Sequence, residues 1–121
     1  MKFARIVFWG AGIWGLLTLA PLYFIFGMIG RNDPPAITHP LFYYGFAGVA
    51  LAWQFAFFLI GKDPARFRLL MIPSVLEKLA FGIPAIVLHA QRRLTGSDMA
   101  LGCIDLLFGA LFLLAFRSTA P

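Results

Sequence analysis

Glu77 and Lys78 stand side by side near the middle of an apolar run, Leu69 to His89, that is long enough to cross a bilayer. An ionisable side chain at that depth is costly and must find a partner inside the protein. Gln54 in the preceding apolar run and Asp105 in the following one are polar groups at comparable depth. Three uses suit such a set. A carboxyl group with poorly compensated charge can do acid/base work. The cluster can hold the polar end of a lipophilic molecule, or it can serve only as a clamp that fixes helix register.

Depth along each helix follows from a rise of about 1.5 Å per residue. Glu77 and Lys78 then lie about 13 and 15 Å in from Arg68, and Asp105 about 18 Å in from Arg117. Gln54 is about 12 Å from Lys62 with Trp53 slightly deeper, and Trp14 is about 13 Å from Arg5. One such residue per helix falls in a slab about one turn thick. Counted from the opposite ends, Asp105 comes out about 9 Å shallower than Lys78, a gap that the lysine stem can partly cover. Sequence neighbours on a helix do not face each other, so Glu77 and Lys78 each need a partner elsewhere. Lys78 with Asp105 is the expected pair. Glu77 is then left without a cation, either protonated and bonded to Gln54 or touching a bound ligand.

The candidate ligand-binding set is therefore Glu77, Lys78, Asp105, Gln54, Trp53, Trp14 and Tyr43, with Glu77 the one candidate acid/base. His39 and His89 sit at the outer ends of two runs and are the only candidate metal or haem ligands. Two histidines without further ligands beside them more often mark an interface, so no metal is expected. No particular cofactor is implied.

The elements that must position these residues are read from composition and punctuation. The chain has 121 residues, 61% hydrophobic and 12% charged, with mean hydropathy +0.87. Ordinary soluble domains are about half apolar and a quarter charged, and a domain this small cannot bury so much apolar surface. Lipid is the solvent that fits. The expected fold is an all-α membrane protein, one domain over residues 1–121 with spans at about 6–29, 40–60, 69–90 and 99–116. Pro21 is expected to kink the first span and Gly30 to end it. Pro40 opens the second, with Thr38 or His39 at the cap, and Asp63-Pro64 is expected to open the third helix before it enters lipid. Pro73 and Pro84 should bend it. Ser97 or Asp98 caps the fourth. Connections of about 7 to 10 residues imply an up-down-up-down bundle.

Lys2, Arg5, Lys62, Arg66, Arg68 and Arg117 fall on one side of that bundle, and Arg31, Arg92 and Arg93 on the other. The bias places both termini in the cytoplasm. The same distribution explains the net charge of +5 without nucleic acid, because there is no extended basic face to follow phosphates. Cys103 is the lone cysteine, which excludes an internal disulfide and a cysteine-rich metal cluster. Gly102, Asp105 and Gly109 share one face of the fourth span, where glycines permit close helix approach. Gly45, Gly48, Ala52 and Ala56 form a small-residue face on the second, opposite Tyr43, Ala47, Ala50 and Gln54. Asp33 and Asp98 are expected at one polar rim.

His39-Pro40-Leu41-Phe42-Tyr43-Tyr44-Gly45, Lys62-Asp63-Pro64, Glu77-Lys78 and Asp105 together resemble a group of small bacterial four-helix membrane proteins, broadly DoxX-like. The resemblance implies the fold and a bacterial inner-membrane location, and brings no mechanism. Small multidrug transporters differ, since their essential glutamate is in the first span, where this chain has none. The primary expectation is a non-catalytic helper subunit of a membrane complex, or a homo-oligomer, with a buried Glu/Lys/Asp core. The alternatives are a membrane-embedded binder or enzyme for a quinone, sterol-like or isoprenoid compound using Glu77, and a proton-coupled transporter.

Overall fold

The computed structural model describes residues 2–32 and 38–119, and within them every regular element is helical. In chain order these are α1 (Lys2–Leu19), α2 (Phe26–Asn32), α3 (Pro40–Lys62), α4 (Met71–Ala90) and α5 (Gly96–Ser118), with 3₁₀ turns at Ala20–Tyr23 and Arg68–Leu70. Among the described residues, four helical segments are long and apolar enough to cross a membrane: Lys2–Tyr23, Pro40–Lys62, Arg68–Ala90 and Gly96–Ser118. Large apolar side chains such as Ile6, Leu17, Val49, Leu76 and Leu113 point outward, while Ala4, Ala11, Ala47, Ala85 and Ala115 lie inside. Small residues inside and large ones outside is the arrangement that lipid favours, because helices gain from close packing and nothing is lost by exposing Leu or Ile.

The helices pair. α1 packs along α3, α4 packs along α5, and α1 joins the two pairs through α5, whereas α3 and α4 barely touch. At one end the four meet in a solid core. There Phe8 stacks on Phe112 with centroids 4.2 Å apart, Phe57 meets Phe112 edge-on at 5.0 Å, and Ile60, Met71 and Val75 close the layer. Arg68 fastens this end. Its Nε donates to the Phe116 carbonyl at 2.9 Å and its guanidinium lies 3.7 Å over the Phe116 ring, which satisfies one of the orphan carbonyls of the last turn of α5.

Three expectations about the helices are corrected. The first span does not run kinked to Gly30: α1 ends at Leu19, Pro21 sits at the start of a 3₁₀ turn, and Gly30 lies inside the separate helix α2. Tyr43 explains the break, since its hydroxyl donates to the Leu22 carbonyl at 2.7 Å and Phe26 packs edge-on against its ring at 5.0 Å. The third helix does not begin at Pro64. Asp63 Oδ1 does accept from the Arg66 N–H at 3.3 Å, but residues 64–67 form turns and the α-helix starts at Met71. Pro73 is thus in the first turn, where its missing N–H costs nothing, and only Pro84 lies inside the helix. The fourth helix starts earlier than Met99, with Thr95 as its cap accepting from the Asp98 N–H at 3.4 Å. α3 runs from Pro40 to Lys62, with His39 at the N-cap position and Pro40 first in the helix. Asp33 lies outside the described residues.

The turn from α4 to α5 carries the one non-glycine residue with positive φ among the described residues, Arg92 at 59°. Arg92 N–H donates to His89 O at 2.9 Å and Arg93 N–H to Leu88 O at 2.8 Å, the paired bonds of a Schellman end. A left-handed conformation costs an L-residue about 1–2 kcal/mol, so Arg92→Gly should raise stability by about 0.5–1 kcal/mol. Thermal unfolding in detergent reads this directly, with Arg92→Val moving the midpoint the other way.

Candidate ligand-binding site

Beyond the solid end, the gap between α3 and α4 opens into a cavity of about 360 Å³, within the size range of small-molecule sites. Its inner end is the polar layer. Lys78 is 3% exposed, and its ammonium lies 3.6 Å from Glu77 Oε2 and 3.6 Å from Asp105 Oδ1. It also sits 5.0 Å above the Phe57 ring and 5.7 Å from the Phe108 centroid, where the ring faces favour a cation. Gly109 makes room for this lysine: a Cβ there would stand 3.4 Å from Lys78 Cβ.

The expected Lys78–Asp105 pair is present, but Glu77 is not without a cation. Neighbouring Cα–Cβ bonds diverge, yet the four-carbon lysine stem swings its charge between the two carboxylates. The proposed Glu77–Gln54 bond is absent as well. Gln54 donates its amide to the Ala50 carbonyl at 2.7 Å, and its carboxamide packs against Gly15, where a Cβ would collide with it. Glu77 Oε2 and Gln54 Oε1 are both buried without a hydrogen-bond partner among the described residues. Buried polar atoms are rarely left so.

Apolar walls rise from this floor. α1 and the turn after it supply Trp14, Thr18 and Leu22; α3 supplies Tyr43 and Phe46; α4 supplies Phe81 and Pro84. Phe46 and Phe81 stack across the gap with centroids 5.9 Å apart, bridging two helices that have few other contacts outside the solid core. Leu94, Asp98 and Leu101 line the end away from the ion cluster, and because Leu101 is exposed and the other two are partly so, this end is the mouth.

Of the seven ligand-site candidates, six line this one cavity: Glu77, Lys78, Asp105, Gln54, Trp14 and Tyr43. Trp53 does not. It packs against the solid core, 6.2 Å from Phe57. His39 and His89 are exposed, and His39 stacks loosely on Phe42 at 5.5 Å. Among the described residues no group of three or more His, Cys, Asp or Glu could hold a metal ion. Asp98 enters the site although the sequence suggested only a cap and a place at the polar rim. Its signal was available, since Asp98, Leu101 and Asp105 are spaced i, i+3 and i+7 and share one helix face. Phe81 and Leu88 carried no such signal, because an apolar wall residue reads the same as a lipid-facing one. No family model matches the chain, and neither curated proteins nor solved structures give a match.

Proposed function

We propose that the chain is an integral membrane protein that binds a lipophilic small molecule between α3 and α4, with the molecule's polar end at Glu77, Lys78 and Asp105. One observation carries this: an apolar cavity between helices ends on the ionisable groups of the bundle. A purely structural ion cluster would be packed around on all sides, since protein interiors fill to crystal-like density. The reading is of a binding protein, with Glu77 as the residue on which any acid/base step would rest. The basic side chains support an up-down-up-down bundle in a bacterial inner membrane with both termini cytoplasmic, which turns the cavity mouth at Asp98 toward the outer face.

Gentle detergent purification and native mass spectrometry test the reading. The wild-type chain should retain one lipophilic mass, and Leu101→Trp, which fills the mouth, should accumulate equally but lose it. Equal occupancy in both would remove the cavity from consideration. Gly45 and Ala52 keep the helper-subunit or self-association reading in view, because both are exposed and small on one side of α3 and such residues suit close helix approach. Partner subunits or a second copy in the same spectra, with no small molecule, would favour that reading.

A further inference from the structure

The cavity is acidic in a basic protein. Glu77, Asp98 and Asp105 line it, three of the chain's five acidic side chains, whereas Lys78 is the one lining residue among ten lysines and arginines. Lys78 offsets one carboxylate, and the low-dielectric walls leave the remaining imbalance poorly screened. Independently, the carboxylates at the inner end accept no hydrogen bond from the described residues, with Lys78 3.6 Å from each. Gln54 adds nothing for a ligand to use, being 1% exposed with its amide nitrogen committed to Ala50 and its Oε1 turned against Gly15. Glu77 Oε2 has an ion-pair neighbour at 3.6 Å and no hydrogen bond. The site therefore asks for positive charge and for N–H or O–H donors together.

Resting on the binding reading above, we propose that this cavity selects protonated long-chain primary amines. The ammonium would lie beside Glu77 and Asp105, and the alkyl chain would run past Phe81 and Leu101 toward the mouth. An ammonium supplies charge and three donors at once. A fatty alcohol supplies one donor and no charge, a quaternary ammonium supplies charge and no donor, and a fatty acid has the wrong sign. A bare metal ion fits poorly, because most of the lining is hydrocarbon and hard cations take several oxygen ligands.

The test uses the full chain in zwitterionic nanodiscs at pH 7, with Trp9→Phe and Trp53→Phe leaving Trp14 as the reporter in the cavity wall. The probes are 6-bromododecylamine, 6-bromododecanol and 6-bromododecyl-trimethylammonium, which carry the quencher about halfway along the chain and near Trp14, read by saturable quenching of Trp14. The amine should half-saturate at a concentration at least tenfold below the other two. Glu77→Gln should shrink that preference about tenfold, and Asp98→Asn, at the mouth and outside the ion cluster, about threefold. Equal half-saturation by amine and alcohol, or by amine and quaternary ammonium, overturns the amine assignment while the binding site stands. Saturable quenching by none of the three overturns the binding site itself.

Discussion

Lys78→Met should lower the stability of the bundle by about 3–5 kcal/mol, the usual cost of leaving a buried charge without its partner. The ammonium stands between two carboxylates, 3.6 Å from each, in a setting where Glu77 and Asp105 side chains are only 15% and 18% exposed. Without it, two like charges share one apolar pocket. Adding Glu77→Gln and Asp105→Asn to Lys78→Met should restore most of the loss, since the triad is then replaced by neutral groups of similar volume. Equilibrium unfolding in mixed micelles measures both steps. A Lys78→Met protein as stable as wild type would show that the ion cluster does not hold the helices together. Asp105→Asn alone should cost less than Lys78→Met, because Glu77 still faces the ammonium. That ranking differs from what sequence suggests, where Asp105 is the sole partner and its removal strands the lysine.

That difference shows where the sequence stopped being informative. The spans were legible because apolar runs and Pro/Gly punctuation are local properties, and Lys78 with Asp105 followed from depth and a short connection. Glu77 was misjudged because helical spacing fixes Cα–Cβ directions and says little about the far end of a lysine. The break after Leu19 depends on Tyr43 holding the Leu22 carbonyl, a contact made across 21 positions, and a proline alone does not distinguish a kink from a stop. The cavity exists because α3 and α4 stand apart, and no single residue encodes a separation. What the sequence did carry was its polar floor. Glu77, Lys78, Asp105 and Gln54 converge there because burying a polar side chain in lipid constrains it to face the inside.

Gly102→Leu should cost about 1–3 kcal/mol and release any bound ligand, whereas Gly45→Leu should be neutral or stabilise by up to about 1 kcal/mol. A Cβ at Gly102 would stand 2.5 Å from Ala85 Cβ, and one at Gly82 would meet Leu106 at 2.6 Å and the Gly102 carbonyl at 3.1 Å. α4 and α5 thus approach almost backbone to backbone, and Ala85 has no rotamer by which to give way. Asp105 is one turn beyond Gly102, and Gly109 beyond that seats the lysine stem. Widening the seam at Gly102 therefore draws Asp105 away from Lys78 as well as straining the helices. Gly45 has nothing within 4 Å of a built Cβ, so leucine there gains helix propensity and meets only lipid. Unfolding midpoints and native mass spectra of the two variants separate the effects. Equal losses at both positions would mean that glycine matters for helix flexibility throughout. A loss confined to Gly102 would place the binding site under the control of the α4–α5 crossing.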